Sequence, residues 1–305
     1  MEGMLYSRKK AGDVIVMYHG VSEFNDIDFH TRCISRGNFR RQLLYYKKEF
    51  RIVSLRQMMD EPNPGIRRLA ITFDDGLKNN FNHAAVVLRR LNVPATFFVS
   101  TPQVRGLDYL WPDAYAILIA FHDGPIEIDG QRFERKADYR FISTDNGIPL
   151  QEYLKSCSLE KKIEFIEELR KSNSDDPMLD KEYEVHWKLM DETHIKTLAR
   201  QRLFTIGSHA VTHQNFSVMT PEQQVNELAE SKKYLEDIIG REVTMFSFPD
   251  GDYDEQSKQR AYDAGYKRLF AVNYKVDSDW DDPNFMDRIG LYQDRSWIEQ
   301  LHQLN

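Results

Sequence analysis

Two aspartates at the end of an apolar run are the residues best placed to do chemistry. The run is Leu69-Ala-Ile-Thr-Phe73, and it ends abruptly in Asp74-Asp75-Gly76 before a helix-like pattern begins. Adjacent ionised carboxylates repel, and burying either one unpaired costs on the order of several kcal/mol. A cation is therefore expected beside one of them. A second stretch, Ile206-Gly-Ser-His209-Ala-Val-Thr-His213, brings two imidazoles four residues apart. On a helical turn that spacing puts both on one face, within reach of one ion. One Asp with two His makes a three-ligand set, which leaves a catalytic zinc an open position for water. The second Asp is then free to act as a base. Together the two stretches point to metal-assisted hydrolysis.

In these residues the chain resembles the NodB-homology polysaccharide deacetylases, carbohydrate esterase family 4. Thr72-Phe73-Asp74-Asp75-Gly76 reproduces the family's T-F-D-D-G motif without a change. His209 and His213, with Thr212 between them, fit its H-[S/T]-x-x-H or looser H-x-x-x-H motif. Phe248-Pro249-Asp250-Gly251 is an altered form of its third motif, a Pro-rich turn ending P-Y-G. The similarity covers residues 14–101 and 200–292, and the stretch between has no matched counterpart. It implies a distorted (β/α) barrel with the metal at the C-terminal ends of the strands. It further implies Asp75, His209 and His213 as metal ligands, Asp74 as general base, and the turn of Pro249, Asp250 and Gly251 against the substrate. A backbone N–H of that turn is expected to face the developing oxyanion. Two His and one Asp favour zinc among the divalent metals.

The chain departs from the family pattern at two points. The family often has an Arg two residues before the Pro of its third motif, holding the base; Ser247 stands there, and Arg288 is the candidate replacement. The family's late L-x-H histidine is missing, and Gly290-Leu-Tyr292 stands in its place. His19, at the end of the first predicted strand, is left as the group to protonate a leaving amine. The reaction implied is removal of an N-acetyl group from an amino sugar in a glycan, a glycolipid or a sugar-linked intermediate. The alternatives are a related carbon–nitrogen hydrolase, such as a deformylase or cyclic amide hydrolase, and an inactive carbohydrate-binding module. Loss of Asp74 or of a ligand would mark the module, and neither is lost.

The elements that must position these residues read as alternating strands and helices. Val14–Tyr18 is a buried strand ending in His19, where barrel strands would converge. Gly37–Phe50 has helical period, Arg51–Val53 returns as a strand, and Glu61-Pro-Asn-Pro-Gly65 is a turn before the key strand. Ala84, Ala85, Val87, Leu88 and Leu91 mark an apolar helix face, and Ala95–Val99 follows as the next strand of a βαβ unit. Past His213, a helix opens at Thr220-Pro221 and stops at Gly240; strands at Val243–Ser247, Leu269–Val272 and Arg288–Tyr292 alternate with a helix at Asp254–Ala264. A last helix is expected over Ser296–Leu304. The whole chain, 1–305, reads as a single catalytic domain carrying an insertion at about 101–198. That insertion holds a hairpin about Asp129-Gly130 and an acidic amphipathic helix over Leu159–Leu169, with too little apolar sequence for a sure core of its own. Trp111 within it is either a sugar-stacking edge or an anchor to the barrel.

At 305 residues and 41% hydrophobic content the chain can bury a sizeable core. A formal charge of −7 gives no electrostatic reason for nucleic-acid binding. The longest apolar run, Ala114–Phe121, is too short to span a bilayer. The basic N-terminus has no apolar segment behind it, and Cys33 and Cys157 read as two reduced thiols; both suggest a cytoplasmic protein. His30, His83, His122, His186, His194 and His302 fall outside any constellation.

Overall fold

The apolar runs form parallel strands of one sheet in the computed structural model, which describes residues 12–23, 32–136, 139–173, 175–292 and residue 299. In chain order the strands of this sheet are β1 (Asp13–Tyr18), β2 (Arg51–Ile52), β3 (Arg68–Phe73), β4 (Ala95–Val99) and β5 (Phe204–Ser208). They continue as β6 (Met245–Ser247), β7 (Arg268–Ala271), β8 (Phe285–Asp287) and β9 (Ile289–Gly290). The spatial order runs β8-β7-β6-β5-β4-β3-β1-β9, with β2 added beside β3. The two ends of this path, β8 and β9, are consecutive pieces of one segment. It pairs with β7 through Leu269 and Phe285, and with β1 through Val16 and Ile289. The sheet thereby closes nearly completely into the distorted (β/α) barrel of the NodB type. Arg288 sits at the break between the two pieces, its backbone N–H donating to the Ala271 carbonyl at 2.8 Å.

Strand alternation separates two apolar layers. Ile15, Ala70, Phe98, Met245 and Phe270 form one cluster inside the barrel, to which Val53, Leu55 and Met58 are added by β2 and the short helix after it. Val16, Tyr18, Leu69, Ile71, Phe73 and Phe97 face outward and pack with the surrounding helices in the main core. Those helices start where their caps say: Ser35 caps Arg36–Glu49, and Thr220 with Gln223 forms a capping box at Pro221–Ile239. After Asp75-Gly76 the expected helix begins as a π-turn, Asn80–Ala84, before becoming α-helical over Ala85–Leu91.

The segment between β4 and β5 builds more of a core than its sequence suggested. The hairpin at Asp129-Gly130 forms, both turn residues having positive φ, and a third antiparallel strand, Phe141–Ser143, joins it. Contrary to the expectation of a meagre core, Trp111, Ile117, Phe133, Phe141, Leu150 and Phe165 belong to an apolar cluster separate from the barrel's. Helix Glu192–Ala199, by contrast, sends Ile195 and Leu198 into the main core and serves as the barrel helix before β5. Both cysteines are free thiols. No described helix is long and apolar enough to cross a membrane. The terminal helix expected over Ser296–Leu304 lies outside the described residues.

Strand β5 needs a glycine where it passes Phe98. A Cβ on Gly207 would lie 2.6 Å from Phe98 Cδ1 and 3.2 Å from the Met245 carbonyl oxygen. Phe98 is fully buried against Phe270, so its ring cannot swing away. Gly207→Ala is expected to destabilise the fold by about 1–3 kcal/mol through overpacking. Urea unfolding checks this, and an unchanged midpoint would refute it.

Candidate active site

Strand parity places the two aspartates. Ala70 lines the barrel interior, so Thr72 and Asp74, two and four residues on, share its direction. Asp75 by the same rule would point away. Instead its φ of 73° turns the chain back, and both carboxylates arrive at one site. Regular strand alternation, which would send the two to opposite sides, is broken here. Left-handed backbone is tolerated better by Asp than by most residues. Gly76 continues the turn with φ 82°, and a Cβ there would strike Val99 at 2.8 Å.

Asp74 is held by Arg288. Arg288 Nη1 donates to Oδ1 at 2.7 Å and Nη2 to Oδ2 at 2.6 Å, a bidentate pair with both residues buried. Arg288 Nη1 also donates to Thr72 Oγ1, and Nη2 to Ser247 Oγ at 2.6 Å. Ser247 occupies the position where the family's Arg is expected, and it touches the guanidinium that another strand supplies. Burial alone would raise the Asp74 pKa, but the charge and hydrogen bonds of Arg288, together with His209, outweigh it and hold the carboxyl below its usual range.

The histidines reach the same point from the end of β5, though not from a helix. His209 follows the strand directly, and Ala210 and His213 both take positive φ, 61° and 55°. The four-residue spacing is spanned by a loop, so the helical-turn reading is corrected. Glu227, on helix Pro221–Ile239, makes that loop rigid: its carboxylate accepts from the backbone N–H groups of Val211 and Thr212 at 2.8 Å each and from Thr212 Oγ1 at 2.9 Å. His209 Nδ1 lies 2.8 Å from the Ser247 carbonyl, which only accepts, so Nδ1 carries the proton and Nε2 presents its lone pair to the site. Trp111 Nε1 donates to the His213 carbonyl at 3.0 Å.

The donor atoms converge. His213 Nε2 is 3.2 Å and His209 Nε2 3.6 Å from Asp75 Oδ1, and one ligand atom from each of the three lies within 4.8 Å of the others. Asp75 Oδ1 is buried and accepts no hydrogen bond from the described residues. A buried carboxylate oxygen facing two imidazole nitrogens fits a divalent cation. His209 Nε2 is also 3.8 Å from Asp74 Oδ2, which puts the expected base beside the expected ligands. Asp75 stays ionised well below the usual range: burial opposes this, and the facing His213, with His19 and Arg32, outweighs it.

The other expected residues are placed as follows. The turn Pro249–Gly251 lies at the end of β6, with Asp250 in a left-handed conformation, 3.4 Å from Lys155 Nζ of the insertion. His19 is buried, its carbonyl accepting from Asn80 Nδ2 at 2.7 Å, and its Nδ1 has no hydrogen-bond partner among the described residues. Burial lowers its pKa to about 4, against the pull of Asp75, so a donor role for His19 starts from a neutral ring. Trp111 is 3% exposed and offers no open face to a sugar, so the stacking role is corrected to an anchor of the insertion. Sequence reasoning passed over Glu227, Arg32 and Asp113. Nothing in their local sequence marks them, since their partners are 15 or more residues away.

A profile of the polysaccharide deacetylase family matches residues 61–128 and 176–269, more than half of the chain, and the protein belongs to that family. Its fold agrees with solved members. IcaB from Ammonifex degensii superposes with a TM-score of 0.58 at 19% identity, covering 96% of each chain. The Streptococcus pyogenes deacetylase PplD gives 0.56 at 16%, covering 96% of this chain and 97% of that one. The Bacillus subtilis protein YxkH, which carries the same family description, is 32% identical over 82 residues, spanning 27% of this chain and 29% of YxkH. The family match breaks over 129–175, within the segment between β4 and β5.

Removing the charge on Arg288 tests the electrostatics. Arg288→Met leaves a buried unpaired carboxylate, a loss of about 3–5 kcal/mol near neutral pH. A depressed carboxyl pKa contributes stability above the unfolded-state value and loses it as pH falls through the folded one. In Arg288→Met burial is left largely unopposed, so Asp74 takes up a proton as the pH falls towards 4, and the gap between wild type and variant should narrow there. Urea unfolding at pH 7 and pH 4 reads it, and a constant gap would mean that Asp74 is not the group Arg288 serves.

Proposed function

We propose that the protein is a metal-dependent N-deacetylase acting on an N-acetylated amino sugar in a glycan, glycolipid or sugar-linked intermediate. The observation that carries this reading is the joint convergence of Asp75, His209 and His213 with Asp74 held ionised beside them. A module that only recognised sugar would have no use for a base kept ionised in a buried site. Asp75, His209 and His213 would hold the cation, and two imidazoles with one carboxylate favour zinc. Bound there, it would polarise the acyl carbonyl and acidify a water.

The chain's own residues supply the proton chemistry. Asp74 takes a proton from the attacking water at a carboxylate oxygen, its geometry fixed by the two Arg288 bonds. A backbone N–H of the Pro249–Gly251 turn faces the oxyanion. The leaving nitrogen needs a proton, and we assign its delivery to His19. Supporting this, the His19 ring lies 5.9 Å, centroid to centroid, from Tyr292, the residue at the position of the family's missing late histidine. His19 thus brings an imidazole to that neighbourhood from β1. Being neutral at rest, it works as a relay, taking up a proton during turnover and passing it to the amine.

Two pairs of measurements test these roles. His213→Ala is expected to lose zinc by elemental analysis, whereas Asp74→Asn keeps the metal and slows hydrolysis by about 10²–10⁴-fold. Full zinc occupancy in His213→Ala would sink the ligand assignment. For the donor, His19→Ala should impair an N-acetyl amide far more than an activated ester, whose leaving group needs no proton. Equal losses on the two substrates would remove His19 from that role.

A further inference from the structure

Asp75 uses its two oxygens differently. Oδ1 faces the imidazoles of His213 and His209, at 3.2 and 3.6 Å. Oδ2 accepts from Arg32 Nη1 at 3.2 Å. The other end of the same guanidinium, Nη2, donates to Asp113 Oδ1. Asp113 lies in the first turn of helix Trp111–Ala120, so it belongs to the inserted segment and not to the barrel. Both carboxylates are fully buried and the Arg32 side chain is 21% exposed. A guanidinium is a rigid planar fork, so donating from two nitrogens to two carboxylates fixes where each carboxylate stands. The flexible ammonium of a lysine could carry the same charge but could not hold that separation.

We propose that Arg32 and Asp113 are positioning residues: they keep Asp75 as a one-oxygen ligand, and through them the inserted segment sets the affinity of the site for a divalent cation. This rests on the metal site argued above. Two further contacts tie the segment to the same place, Trp111 Nε1 to the His213 carbonyl and Lys155 Nζ to Asp250. Arg32 acts on a cation in two opposed ways. Its charge repels a second cation, while its hydrogen bond holds the ligand oxygen where the imidazoles need it. Arg32→Lys separates these effects, because it retains the charge and removes the fork. Partners that orient a ligand typically change metal affinity by about 10–100-fold.

The experiment is a zinc titration of the full chain against a chromophoric chelator, comparing wild type with Arg32→Lys, Asp113→Ala, the double variant and Asp113→Asn. Each of the first two variants is expected to bind zinc about 10–100-fold more weakly. The double variant should be no weaker than the weaker single one within about twofold, because both changes break one chain of contacts. Asp113→Asn keeps an acceptor oxygen for Nη2 and should recover most of the affinity. Thermal unfolding of the metal-free proteins shows whether each is folded. If Asp113→Ala does not fold, Arg32→Lys decides alone: unchanged or tighter zinc binding there overturns the proposal, as does full additivity in the double variant. Failure of the metal reading looks different. In that case the wild type binds no zinc, or His213→Ala binds it as well as the wild type does.

Discussion

A carboxylate buried at the mouth of a closed barrel is tolerable only with a counter-charge, and Arg288 supplies it to Asp74 through two parallel hydrogen bonds. Much of the architecture follows from that pair. Arg288 comes from the short break between two strand pieces that close the barrel, so its side chain can enter the interior while its backbone still pairs with β7. Thr72 and Ser247 occupy two further donors of the guanidinium, and the Phe98 ring lies 5.1 Å from its centre. The interior is thus apolar below and polar only where the carboxylate needs it. A buried pair of this kind contributes little net stability. What it supplies is an ionised carboxylate in fixed orientation.

The second constraint is backbone strain. Asp75, Ala210, His213 and Asp250 all have positive φ, and all lie in or beside the site. Such conformations persist only where the surroundings over-determine them. Here the surroundings can be named. Glu227 clamps the histidine loop with three hydrogen bonds, Ser100 Oγ donates to the His209 carbonyl, and the His209 N–H donates to the Val99 carbonyl. Each left-handed residue turns a side chain that strand or helix geometry would have sent elsewhere.

The inserted segment is joined to this machinery in an unequal way. It has its own apolar cluster, and three of its polar connections to the barrel fall on site residues, at Asp250, at the His213 carbonyl and, through Arg32, at Asp75. Trp111 and Asp113, two residues apart on one helix, serve two of the three connections.

Adjacent residues were legible in the sequence, and convergent ones were not. The T-F-D-D-G stretch, the paired histidines, the alternating strands and the hairpin at Asp129-Gly130 are all local signals, written in periodicity, spacing and turn chemistry. Arg288 could be named as a substitute because a vacancy at Ser247 required one somewhere, and Arg288 stands at the start of an expected strand. The tertiary structure alone decided the rest. That Asp75 turns to join Asp74, that a loop and not a helix spans the histidines, and that burial leaves His19 neutral are all outcomes of packing. Glu227, Arg32 and Asp113 act through carboxylates and amides that come near only after the barrel has closed. Periodicity reports which face of an element is buried; it carries no information about which distant charge will be waiting there.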